Sequence, residues 1–110
     1  MIDWERLQTM RDEIGSDSLQ EIVLLFLQEM DEGISRLQSA PSTEALGAEM
    51  HFLKGCALNL GFRDFARLCQ EAETLCAQGK ADQVDISRIL ACHGASRAVF
   101  SEGPDAADAT

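Results

Sequence analysis

The sequence predicts an all-α fold: an antiparallel up-down-up-down four-helix bundle with an additional short N-terminal helix. Three observations carry that expectation. Apolar residues recur at three- and four-residue intervals through four long stretches, the period of helices with one buried face. The breaks between those stretches are short and marked by Gly or Pro, which makes sequential neighbours antiparallel. With 2 prolines and no tyrosine among 110 residues, the chain lacks the composition of a β-sandwich.

The first segment, Asp3 to Ile14, places Leu7, Met10 and Ile14 at helical spacing and stops at Gly15. It is short enough to form a lid or one end of a bundle. The second begins at Ser16-Asp17-Ser18, where Ser18 and Glu21 have capping-box spacing, and runs to Gln38. Leu19, Ile22, Val23, Phe26, Met30, Ile34 and Leu37 make its apolar stripe, while Leu24 and Leu25 fall outside it. Ala40-Pro41-Ser42 breaks the chain, and Ser42 or Thr43 can cap the next helix. The third segment, Thr43 to Leu60, turns Leu46, Met50, Leu53, Ala57 and Leu60 inward and ends at Gly61. The fourth, Arg63 to Gln78, carries Phe65, Leu68, Cys69, Ala72, Leu75 and Cys76 inward, and Gly79 closes it. The fifth, Asp85 to Phe100, carries Ile86, Ile89, Leu90, His93 and Phe100. Residues 1–100 are thus read as one helical bundle. The small, acidic stretch 101–110, with its Gly103-Pro104 pair, is expected to be a disordered tail.

Composition removes several functions. Nine Lys and Arg against nineteen Asp and Glu give a formal charge of −10, the reverse of the clustered cations a phosphate-backbone binder needs. Nucleic acid is therefore not an expected partner, and neither is an anionic membrane surface. Met1-Ile2-Asp3-Trp4-Glu5 lacks the basic flank and apolar run of a signal peptide. The longest apolar run, Ile22 to Leu27, is far shorter than the roughly 20 residues that cross a bilayer. Cys56, Cys69, Cys76 and Cys92 contain no C-x-x-C pair and fit small, buried or half-buried thiols in a reducing compartment, so the expected location is the cytoplasm. A chain of this size has no room for a large substrate cavity.

The outer face of the third segment carries the chemistry. At about 100° per residue, His51 points away from the stripe of Leu46, Met50, Leu53, Ala57 and Leu60. Around it lie Gly47, Lys54, Gly55 and Leu58, with Asn59 at the edge. A surface histidine alone signifies little, but Gly55 follows it by one turn in a helix interior, where glycine costs about 1 kcal/mol relative to alanine. That cost is tolerated where something approaches the backbone closely. Lys54 is one of only two lysines in the chain. A nucleophile, a cation and a clearing on one face suit phosphoryl transfer, because an exposed imidazole is largely unprotonated near neutral pH. The transferred group also needs a counter-charge and an in-line approach. No acid occurs from Met50 to Arg63, so the face is expected to be free of carboxylates.

The run His51-Phe52-Leu53-Lys54-Gly55-Cys56-Ala57-Leu58-Asn59-Leu60-Gly61 resembles the signature of histidine-containing phosphotransfer (HPt) domains. That family pattern is a His, an apolar residue two later, Lys-Gly-Ser, and a Gly closing the helix; the likeness in helical order extends over nearly the whole chain. The resemblance implies a four-helix bundle whose second long helix bears the phosphorylated histidine. It makes His51 the phosphoryl acceptor, Lys54 its charge partner and Gly55 the steric clearing. It also implies a phosphoryl carrier of a two-component phosphorelay, whose partners are receiver domains or a receiver and a histidine kinase. Leu24, Leu25, Leu58 and Asn59 are expected to dock the partner, and a monomer is the expected state. Cys56 stands where the family usually has serine, and Met50 where it often has alanine.

No Gly-rich nucleotide loop is present, so the phosphoryl group is expected to arrive from a partner, without ATP binding or autokinase activity in this chain. No cofactor is expected on the chain itself, and Mg²⁺ is expected on the receiver partner. Two other readings stand beside this one. The first is a helical interaction module without chemistry, in which Leu24, Leu25 and Leu58 form a docking patch and Gly55 a helix contact. The second is a metal-binding bundle that would draw on Cys69, Cys76, Cys92 and a histidine. His93, near the apolar stripe of the fifth segment, reads as an interior or boundary histidine.

Overall fold

The structure is a computed structural model that describes residues 1–39 and 41–103. Among the described residues, the helices are α1 (Trp4–Ile14), α2 (Ser16–Gln38), α3 (Thr43–Leu60), α4 (Arg63–Ala77) and α5 (Ile86–Glu102), with a 3-10 turn at Ala81–Gln83 before α5. α2 to α5 form the antiparallel bundle, and the shorter α1 is added at its N-terminal side. α3 packs between α2 and α4, which makes it the helix whose outer face is best framed by neighbours.

Local chemistry explains most of the boundaries. The side chains of Asp3, Ser42 and Asp85 accept from the amides of Arg6, Ala45 and Arg88, so three helices start on side-chain caps. α2 starts differently. Gly15, at φ +86°, donates its amide to Arg11 at the end of α1 and accepts from Leu19 at the start of α2. One residue thereby ends the first helix and begins the second. The capping box expected of Ser18 and Glu21 does not form, because both already lie inside α2. Of the expected break between α2 and α3, Ala40 lies outside the described residues.

Leu37, Met50, Leu53, Ala57, Leu60, Phe65, Cys69 and Met30 are almost wholly excluded from solvent and form the centre of the core. The buried stripe of α2 runs through Leu27, Met30, Gly33, Ile34 and Leu37. Leu19, Ile22, Val23 and Phe26, expected on the same stripe, are only half-buried, since the short α1 is the neighbour of this part of α2. α1 closes one end of the bundle. There Trp4 stacks on Phe100 at 5.6 Å, and Phe100 meets Phe62 at 5.3 Å.

The α3–α4 turn is tied to the N-terminus. The Asp3 amide donates to the Gly61 carbonyl at 2.6 Å, and the Arg63 amide to the Met1 carbonyl at 3.0 Å. Gly61 has φ +76°, and a Cβ there would lie 2.5 Å from the Asp3 carbonyl oxygen, so both backbone angle and space require glycine. α5 continues to Glu102, two residues into the stretch expected to be a tail; the remainder of that tail, residues 104–110, lies outside the described residues. Among the described residues, no helix is long and apolar enough to cross a membrane.

Candidate functional site

His51 sits midway along α3 with 72% of its side chain exposed. The antiparallel partner α4 brings Glu73 beside it. Glu73 Oε2 lies 2.9 Å from His51 Nδ1, and Oε1 accepts from Lys54 Nζ at 3.0 Å. Lys54 also donates to Gln70 Oε1 at 2.9 Å, and Gln70 donates to Thr74 Oγ1 at 3.1 Å. One carboxylate therefore bridges the imidazole and the ammonium.

The electrostatics follow from these contacts. The hydrogen bond from Lys54 holds the Glu73 carboxyl below its usual range; partial burial opposes this, and the bond with His51 adds to the lowering. An ionised carboxylate only accepts hydrogen bonds, so His51 Nδ1 carries the proton of this contact. Nε2 is then the ring nitrogen with the lone pair, on a side chain largely open to solvent.

Glu73 corrects one expectation: the face is not free of acid. Lys54 is paired with this carboxylate, its side chain only 18% exposed between α3 and α4. The absence of acids from Met50 to Arg63 describes one helix, whereas the site is made by two. A signal for Glu73 does exist in α4. It lies four residues after Cys69 and three before Cys76, at the flank of the inward stripe. Gly47, expected on the outer face, is instead half-buried at the α3–α4 contact, where a Cβ would lie 3.3 Å from that of Cys76.

Gly55 leaves open space beside the imidazole: a Cβ added there would meet nothing within 4 Å. Asn59 turns back along its own helix and donates Nδ2–H to the Gly55 carbonyl at 2.9 Å, which leaves its amide oxygen for a partner. Leu58 and Leu25 are more than half exposed. Leu25 shares a flank of α2 with Glu29, Glu32 and Arg36, the flank that reaches α3. Leu24 is also exposed, but it lies on the other flank, lining a groove with Leu27, Asp31 and Arg97 that opens towards α5. Phe52, absent from the expected docking set, is 37% exposed directly beside His51. Cys56 is buried with its thiol pKa raised by that burial, and Met50 is a core residue.

The rival sites differ in kind. His93 is buried against Phe65, with ring centroids 5.4 Å apart, and lies 3.6 Å from Asp31. Burial pushes the Cys69 thiol up to about 12. No three His, Cys, Asp or Glu side chains among the described residues converge as a metal site would require.

The fold and this face define a helical bundle that carries an imidazole, hydrogen-bonded to a carboxylate, on an open helix surface. The sequence matches the Hpt domain model over residues 21–98, from the second turn of α2 nearly to the end of α5, and the chain belongs to this family. Domains of the family work in histidine phosphotransfer within phosphorelays, together with receiver domains and kinases. No curated protein and no solved structure gives a significant match to the chain.

Proposed function

We propose that this protein is a phosphoryl carrier of a two-component phosphorelay, accepting a phosphoryl group on His51 and passing it to a receiver domain. The observation that carries the reading is the contact between Glu73 and His51 Nδ1, which leaves Nε2 as the nucleophile on an open helix face. A docking module without chemistry has no need of an ionised carboxylate behind an exposed imidazole.

Nε2 attacks the phosphorus of a receiver's aspartyl phosphate in line, forming the N–P bond as the P–O bond to the aspartyl group breaks. The aspartate leaves as a carboxylate, and no proton has to move. The ring acquires positive charge, which the Glu73 carboxylate stabilises through Nδ1–H. Lys54 is poised to turn from Glu73 towards a phosphoryl oxygen, and Gly55 leaves room for the donor surface. Return of the group to a second receiver is the reverse of this step. A kinase domain is the other donor class consistent with the family.

Mg²⁺ belongs, on this reading, to the receiver. Glu73 is the carboxylate at the imidazole, and both of its oxygens are already engaged. The working form is a cytoplasmic monomer that meets its partners transiently, as rapid transfer between carriers favours.

The test is labelling by phosphorylated receiver domains of the source organism. Wild-type protein should take up acid-labile, base-stable phosphate, and His51→Gln should remain folded and take up none. Histidine labelling that persists in His51→Gln would overturn the assignment.

A further inference from the structure

Phe52 is a large aromatic residue left partly exposed directly after His51. Gly55 follows His51 by four residues and Phe52 by three, so its bare backbone is flanked by both side chains. On the α2 side of this clearing, the Arg36 guanidinium carbon lies 5.3 Å from the Phe52 ring centroid. Arg36 Nε and Nη2 donate to the two oxygens of Glu49 at 2.8 and 2.9 Å. The arginine is thus fixed by a two-pronged bond and an aromatic surface rather than waving in solvent.

The backbone makes this reach possible. One turn before Arg36, a Cβ on Gly33 would stand 2.6 Å from Leu53 Cδ2 and 3.0 Å from Glu49 Oε1. The close approach of α2 and α3 at that glycine lets Arg36 cross to Glu49 and Phe52.

A guanidinium has five N–H donors, and Glu49 takes two. Nη1 has no hydrogen-bond partner among the described residues, and the side chain is 49% exposed. Lys54, the other cation at the face, is already bound by Glu73 and Gln70. On the flank of α2 that carries Arg36, Glu29 and Glu32 are both acidic. An acidic group on a partner is repelled along this flank except where Arg36 receives it, an arrangement that selects register as well as partner.

We infer that Arg36, held over Phe52 by Glu49, is a specificity-determining contact that binds a carboxylate of the receiver domain docked at His51. The inference rests on the phosphocarrier reading above. The occupant is a protein surface that is apolar opposite Phe52 and acidic opposite Arg36, and a domain working through an aspartyl phosphate supplies carboxylates around its reactive residue.

The experiment compares two donors. Phosphoramidate is small and labels an exposed histidine without docking; a phosphorylated receiver domain from which the wild type accepts must dock. Arg36→Gln retains a stem to cover Phe52 but removes the charge, and Arg36→Ala removes both. For Arg36→Gln, labelling by phosphoramidate should match wild type. The KM for the phosphorylated receiver should rise about tenfold with kcat within about twofold, and its dependence on salt should flatten. An unchanged KM in Arg36→Gln overturns the inference. So does an equal loss with both donors, which would mark Arg36 as merely structural. If wild-type His51 is labelled by phosphoramidate but by no receiver or kinase, the phosphocarrier reading itself fails, and the inference with it.

Discussion

The Glu73 carboxylate stands 2.9 Å from Nδ1 of His51 and joins the C-terminal third of α4 to the middle of α3. This contact fixes the tautomer of a side chain that otherwise projects freely. Glu73→Ala removes the acceptor, so the imidazole loses its preference for a proton on Nδ1. Phosphoryl acceptance should fall by about tenfold or more, the usual scale for losing a group that orients a working histidine. Nitrogen chemical shifts of His51 should report the Nδ1–H tautomer in wild type and a mixture in the variant. A wild-type acceptance rate in Glu73→Ala would remove the role given to this carboxylate.

Gly55 supports a prediction in which stability and activity move in opposite directions. Its Cβ position is open and its φ is ordinary for a helix, so alanine fits without strain. Gly55→Ala should stabilise the domain by about 0.5–1 kcal/mol, by narrowing the conformations of the unfolded chain. The added methyl group stands in the clearing beside His51, and transfer from a receiver should slow while labelling by a small phosphodonor does not. Urea unfolding and the two labelling rates test this together. A more stable variant with undiminished receiver transfer would show that the clearing is not used.

Gly33 gives the opposite result from the same substitution. Its Cβ would collide with the side chain of Leu53, a fully buried residue. Gly33→Ala should destabilise the fold by about 1–3 kcal/mol, the range for overpacking a tight core. It should also disturb the Arg36–Glu49 pair, because a Glu49 carboxylate oxygen is the next group in its path. Equal urea midpoints for Gly33→Ala and wild type would mean that α2 and α3 separate at little cost.

These contrasts mark what one chain can and cannot display. The four-three rhythm of Leu46, Met50, Leu53, Ala57 and Leu60 reads directly as the buried face of α3, and Ser42 and Gly61 bound that helix by local chemistry. His51 and Gly55 are legible for the same reason, since both are defined by rotation about a single axis. Gln70 and Arg36 are not, because their reach depends on how neighbouring helices are turned relative to α3; Glu73 shows only as a polar residue flanking the α4 stripe, with nothing in the sequence to pair it with His51. The same cause divides Leu24 from Leu25: adjacent in sequence, they occupy opposite flanks of α2. Ser18 departs from its pattern for a different reason. Its spacing to Glu21 suits a cap, but Gly15 has already started the helix.

His93 supplies a pH dependence separate from the role proposed for His51. It is buried, its Nε2 has no hydrogen-bond partner among the described residues, and Asp31 lies beyond hydrogen-bonding distance at 3.6 Å. Burial lowers its pKa from the ordinary 6.5; Asp31 pulls it back up, and Arg97 adds to the lowering. The folded protein thus binds this proton more weakly than the unfolded chain does. Its contribution to stability is fully present above 6.5 and is lost as the pH falls from there towards the lowered folded value. Glu73 has the same sign at lower pH: its lowered pKa keeps its contribution intact above the ordinary 4.5. Urea midpoints measured between about pH 7.5 and 5.5 should therefore fall in wild type and stay flatter in His93→Gln, which has nothing to titrate there. The comparison is of slopes, because replacing a buried side chain also shifts the midpoint at every pH. Parallel slopes in the two proteins would assign the acid sensitivity to another group.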